Sequence, residues 1–125
     1  MVIAPNYRGS VGFDDKLEHA LTGIALGAEL DLPAAVQYLR SRAGGDRVGI
    51  AAIGFSGGAY LALMSACREP RIFQSLVDFY GPTDLSALYE QHPEMRQLLN
   101  AKVGGAPKDK PEGYRSVSPI GCADQ

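Results

Sequence analysis

Apolar and polar positions along the chain alternate in short blocks that glycine and proline separate. Val2-Ile3-Ala4 reads as the tail of a buried strand stopped by Pro5, and Asn6 to Phe13 as a loop in which Gly9 and Gly12 permit tight turns. Asp14-Asp15 can cap a short helix through about Thr22. A firmer helix is expected from about Asp31 to Arg42. Asp31 offers a capping oxygen, Pro33 suits the first turn, and Leu32, Val36 and Leu39 share one face. Arg40 and Arg42 fall in its last turn, where the carbonyl end of the dipole favours cations, and Gly44-Gly45-Asp46 breaks it.

Val48 to Ile53 is apolar throughout, as expected for a central strand covered on both faces. After the turn Gly54-Phe55-Ser56-Gly57-Gly58, residues Ala59 to Cys67 are apolar almost all round and predict a buried helix. Ser75 to Tyr80 predicts a third strand, closed by Gly81-Pro82. Helices at about Leu85–Gln91 and Pro93–Lys102 and a Gly/Pro-rich tail follow. Strands alternating with helices imply an α/β fold: a mostly parallel sheet of about three strands with flanking helices and right-handed crossovers.

The length of 125 residues fits one domain, residues 1–125, with a core of its own, yet is short for the larger α/β folds of roughly 200–250 residues. Hydrophobic residues make up 46% and charged ones 21%, which excludes disorder and fibrous repeats. Twelve basic against fourteen acidic residues give a net charge of −2, and nothing advertises a nucleic-acid or membrane partner. No apolar run approaches the roughly 20 residues of a membrane span, and the first residues lack a signal-peptide pattern. Cys67 and Cys122 have neither metal-type nor redox-type spacing. They are expected as one buried and one near-terminal unpaired thiol, which makes the reducing cytoplasm the default location.

Chemistry concentrates in Gly54-Phe55-Ser56-Gly57-Gly58, a Gly-x-Ser-x-Gly pattern set between a buried strand and a buried helix. A serine in so sharp a turn presents its hydroxyl above the sheet. The flanking glycines avoid collisions where strand and helix press together. The amide of Gly57, at the helix N-terminus, can bind an oxyanion.

With these residues in place, a resemblance emerges. Asn6-Tyr7-Arg8-Gly9-Ser10-Val11-Gly12-Phe13 resembles the N-Y-R-G-S-x-G-[YF] loop of the prolyl oligopeptidase family of serine peptidases. Asp46-Arg47-Val48-Gly49-Ile50 resembles its entry to the nucleophile strand, and Gly54 to Tyr60 its G-x-S-x-G-G-Y, with Ala59 added. Pro70 and Phe73, Gly81-Pro82-Thr83-Asp84-Leu85, and Tyr114 with Ser118-Pro119-Ile120 recur in family order. The resemblance covers essentially the whole chain. It implies the central part of an α/β-hydrolase fold and acyl transfer through an acyl-enzyme on Ser56, with short peptides or acyl-aminoacyl compounds as substrates. No metal or organic cofactor is implied. Pro82, Leu85 and Leu88 are candidates for the substrate side-chain pocket, with ordinary core as the other assignment.

By the same resemblance the catalytic acid and histidine would follow Ser118-Pro119, close to Gln125, so this chain is expected to hold an incomplete catalytic domain and to be inactive alone. Its two histidines offer little. His19 reads as a solvated helix residue, and His92 as a solvent-facing residue at a helix end. Ser56, Asp84 and His92 do occur in hydrolase order, although Asp84 suits a helix N-cap better. Asp78, inside a strand, is expected to pair with Arg47 or Arg71. Arg8 is read as bracing loops through carbonyls, or else as binding a substrate carboxylate. Two other functions stay open: a noncatalytic remnant or interaction module that self-associates or pairs with a companion chain completing the fold, and a carboxylesterase or dienelactone-hydrolase-like enzyme.

Overall fold

A computed structural model of the chain describes residues 1–19, 27–45 and 47–123. Helix α1 spans Asp15–Glu18, capped by Asp14, whose carboxylate accepts the Leu17 N–H at 2.8 Å. The expected extension to Thr22, and Asp46 of the helix-breaking turn, lie outside the described residues. Helix α2, Asp31–Ala43, runs as its pattern predicts: Val36 is buried with Leu39 packed beside it, Leu32 packs against the core around Tyr60 and Leu61, and Gly44 ends it at φ 112°.

The capping role expected of Asp31 is not what the structure shows. Its carboxylate receives the backbone N–H of Arg8 at 2.9 Å and the forked guanidinium of the same residue. A bidentate cation outcompetes local backbone amides for a carboxylate, and here it ties the Asn6–Phe13 loop to the start of α2. Arg8 therefore braces the loop through a side chain, not through carbonyls.

Strands β1, Ala51–Phe55, and β2, Ser75–Phe79, pair in parallel with Ile53 opposite Val77 and Phe55 opposite Phe79. Helix α3, Gly57–Arg68, makes the crossover between them and fills the core with Ala59, Tyr60, Leu61, Ala62 and Met64. Two expectations need correction. The described sheet has two strands, because Val2-Ile3-Ala4 finds no ladder partner and Val2 is 92% exposed. Nor is β1 covered on both faces: Ile53 and Phe55 are 66% and 54% exposed, and their partners Val77 and Phe79 45% each. Residues two apart share a face. These four, with the Phe55 and Phe79 rings stacked at 4.8 Å, therefore make one bare apolar side opposite α3.

Helix α4 occupies Leu85–Gln91, as expected; a 3-10 turn at Pro93–Met95 then leads into α5, Arg96–Val103. The Gly/Pro-rich tail is not a tail. Pro111 opens helix α6, Pro111–Ser116, and Pro119 opens a 3-10 turn, since proline suits the first helical turn where its missing N–H costs nothing. Buried Ser118 clamps this segment to α4, its hydroxyl accepting the Leu85 N–H at 2.9 Å and donating to Tyr114 O at 2.7 Å. The N–H of Ile120 adds a bond to Thr83 O at 3.0 Å.

Cys67 and Cys122 are joined as a disulfide with Cα atoms 5.8 Å apart, against the expectation of two unpaired thiols. Their separation of 55 residues hid the pairing, since α3 and the turn after Pro119 meet only in the folded chain. Among the described residues no helix is long and apolar enough to cross a membrane.

Candidate functional site

β1 runs directly into Ser56, which holds φ 51° and ψ −122° before α3 begins. Non-glycine residues rarely hold positive φ, and the strain persists only where the surroundings fix it. Here the Ser56 N–H donates to Phe79 O at 2.9 Å and its carbonyl accepts the Tyr60 N–H at 3.1 Å, so sheet and helix clamp it from both sides.

The two flanking glycines do different jobs. A Cβ on Gly54 would stand 2.5 Å from Ala59 N and 2.8 Å from the Gly58 carbonyl carbon, so β1 and α3 touch only because it has no side chain. Gly58 would meet nothing within 4 Å, so the expected collision there is absent; Gly57 likewise faces open space. Gly57 is the first residue of α3, where an N–H has no intrahelical acceptor and the dipole is positive. Space and polarity there suit an oxyanion.

Ser56 and Gly57 line a cavity of about 450 Å³ with Tyr60, Tyr80 and Gly81, and its apolar walls include Pro82, Leu85, Leu88 and Met95. The three candidate pocket residues thus sit around the serine, and Leu85 also belongs to the core, its two assignments being compatible. Tyr80, exposed and at φ 49° just after β2, is among the lining residues, and its ring lies 6.2 Å from that of Phe55. Asp78 helps form that turn by accepting the Gly81 N–H at 2.7 Å, and it pairs with neither Arg47 nor Arg71 because the local amide is closer.

His92 and Glu94 complete the lining, with His92 Nδ1 2.9 Å from Glu94 Oε1. Glu94 bonds its own backbone N–H and then His92, and both interactions hold its carboxyl below the ordinary range. His92 is therefore half-exposed at the end of α4, as expected, yet it also borders the serine's cavity. Asp84 stays out of this arrangement: its Oδ1 accepts the N–H groups of Ser86 and Ala87 at 2.8 and 3.1 Å, as an N-cap should. His19 lies at the end of α1, Nδ1 2.8 Å from Asp15 O, and does not line the cavity.

Behind the cavity, Tyr60 donates to Val117 O at 2.8 Å and accepts from Lys102 Nζ at 3.3 Å. Burial pushes the Tyr60 phenol well above its usual range and the Lys102 ammonium down to about 8, with Glu29 partly opposing the latter. Glu29 is buried and pairs with Arg68 at 2.8 Å. Sequence reading missed Tyr60, Tyr80, Glu94 and Met95 as part of this site. For Glu94 the usable signal was its position two residues after a histidine at a helix end.

Three comparisons bear on this geometry. The family model described as "Prolyl oligopeptidase family" matches residues 1–125. The chain is 28% identical over 121 residues to the uncharacterized peptidase YtmA of Bacillus subtilis (strain 168), covering 96% of this chain and 45% of that protein. It is 32% identical over 133 residues to dipeptidyl peptidase family member 6 of Caenorhabditis elegans, covering 99% of this chain and 18% of that protein. The crystal structure of a puromycin hydrolase mutant complexed with PGG superposes with a TM-score of 0.75 at 24% identity, over 95% of this chain and 18% of that one. That likeness shows the fold. The chain spans less than half the length of each of these proteins.

Proposed function

The chain belongs to the prolyl oligopeptidase family, and from that we propose that Ser56 is the acyl-accepting nucleophile of a serine-type peptidase whose catalytic domain these 125 residues form in part. The backbone of Ser56 carries the reading: a serine at φ 51° between a parallel strand and a helix N-terminus has few other uses. Its hydroxyl would attack the carbonyl of a short peptide or acyl-aminoacyl substrate, the Gly57 N–H would receive the oxyanion, and the cavity walled by Pro82, Leu85 and Leu88 would take the adjoining side chain.

The attack needs a base beside Ser56 Oγ. Asp84 is committed to helix amides, and His92 is paired with Glu94 on the wall of a cavity large enough to hold a substrate group. The chain alone is therefore expected to be inactive, because loss of triad members leaves only a small residue of the catalytic rate. The test is turnover of an acyl-aminoacyl p-nitroanilide by the purified chain. Negligible release is expected, and release abolished by Ser56→Ala would overturn the inactivity.

A second reading, a noncatalytic module, draws on the bare face of Ile53, Phe55, Val77 and Phe79, which is unusual for a parallel sheet. Either reading accommodates a companion polypeptide. The cytoplasmic location expected from unpaired thiols loses that ground with the Cys67–Cys122 bond.

A further inference from the structure

Far from Ser56, a smaller cavity of about 120 Å³ opens between α2 and the turn that follows α3. Ser56 precedes the first residue of α3 and Glu69 follows its last, so the 12 residues of that helix hold the two places about 18 Å apart. One wall is the α2 face that carries Gln37 and Arg40, and the other is residues 69–72.

Arg71 stands where an arginine is costly. The Ile72 N–H donates to Glu69 O at 3.0 Å, which closes a β-turn with Pro70 and Arg71 at its centre. Arg71 holds φ 76° there. Proline followed by a positive φ is a type II turn, and its second central position ordinarily takes glycine or asparagine. Strain of this kind is kept where the side chain has a use. Arg40, across the cavity, has an unmet need: its Nε is buried without an acceptor, which costs stability. Among the described residues neither guanidinium takes part in an ion pair, and Glu69 pairs with neither.

We propose that this cavity binds the phosphate group of a small ligand. Two guanidiniums from opposite walls offer N–H donors to the oxygens of one tetrahedral anion, and the Gln37 amide adds another. Glu69 sets the selectivity. Its carboxylate repels a fully ionised anion, but a phosphate that keeps one proton can donate it to that carboxylate. Phosphate esters hold that proton up to about pH 6, whereas sulfate has none to give. The volume is that of about four waters, enough for one phosphate but not for a bulky body. Gln37, Glu69 and Arg71 are exposed, so the remainder of a ligand can extend into solvent.

The test is a titration of the purified chain near about pH 6, where such a proton is kept, followed by amide NMR at constant ionic strength. The probes are inorganic phosphate, glycerol phosphate and sulfate. Phosphate should give saturable shifts centred on Gln37, Arg40 and residues 69–72, with an affinity at least about tenfold above that of sulfate. Glu69→Gln should abolish that preference. Arg71→Gly removes the cation while suiting the turn, so it should fold at least as well as the native chain and yet bind phosphate at least about tenfold more weakly. Glycerol phosphate binding as tightly as the free ion would assign the site to a phosphate monoester, and binding of inorganic phosphate alone would assign it to the free ion. Shifts that do not saturate, or that are equal for phosphate and sulfate in the native chain, would overturn the proposal. Unchanged binding in Arg71→Gly would overturn it as well. The cavity shares no lining residue with that of Ser56, so Ser56→Ala should titrate identically, which keeps this test separate from the hydrolase reading.

Discussion

Gly54 and Ala59 meet backbone to backbone at the junction of β1 and α3: a Cβ on Gly54 would lie 2.5 Å from Ala59 N and closer still to its Cα. Backbone on both sides cannot give way as a side-chain tip would. Gly54→Ala is therefore expected to destabilise the fold by about 3 kcal/mol through overpacking. Gly58→Ala, with open space at its Cβ, should be neutral or stabilise by up to about 1 kcal/mol through helix propensity. Urea titration of both variants checks the contrast, and equal costs would contradict this account of the Gly54–Gly58 turn.

Ser56 holds its strained backbone whatever its side chain does, so glycine and alanine should not be equivalent there. Glycine relieves the positive φ, alanine does not, and neither retains the hydroxyl. After allowing for glycine's greater freedom in the unfolded chain, Ser56→Gly should be more stable than Ser56→Ala by about 1 kcal/mol. Thermal unfolding of the pair measures this; a more stable alanine variant would argue against stored strain.

Lys102 sits 8% exposed against Tyr60, and burial lowers its ammonium to about 8. A folded-state value below the unfolded one means that the unfolded chain binds more protons between about pH 8 and 10. Stability should therefore rise across that interval, by about 1–3 kcal/mol from this group. Lys102→Met should flatten the rise. A stability that falls over the same interval in the native chain but not in the variant would have the wrong sign.

Asp31 behaves oppositely at low pH. Its hydrogen bonds from Arg8 hold the carboxyl below its ordinary value, with burial opposing. The stabilisation is complete above the unfolded-state value near about 4 and is lost as pH falls through the lower folded-state value. Asp31→Asn should cost about 1 kcal/mol at pH 7 and close to nothing near pH 2. A cost independent of pH would mean that packing, not the ion pair, fixes the loop.

What the sequence made legible is what neighbours along the chain decide. The Gly54–Gly58 turn, the apolar α3, and α4 with its Asp84 cap all follow from residues within a few positions of one another. Contacts between distant segments were not legible. Asp31 had every local reason to cap α2, yet Arg8, 23 residues earlier, takes its carboxylate. Val2–Ala4 has the composition of a strand, but composition carries no information about whether a neighbour lies alongside. The motifs at Gly81–Leu85 and Ser118–Ile120, noticed only for their order, prove to be bonded through Ser118 and Leu85. Around the cavity, the positions of Ser56, Pro82, Leu85 and Leu88 were readable from the turn and the start of α4, whereas Met95 was not. The His92–Glu94 pair was not readable, because His92 read as a solvent-facing residue at a helix end and Glu94 carried no signal of its own.

The function proposed above makes Ser56 the nucleophile at this turn and expects no base beside it among the described residues. Prolonged exposure to a fluorophosphonate, followed by peptide mapping by mass spectrometry, tests both halves together. The account predicts slow modification confined to Ser56, at a rate unchanged in His92→Ala. Rapid stoichiometric labelling that His92→Ala abolishes, or an adduct on a different serine, would contradict it.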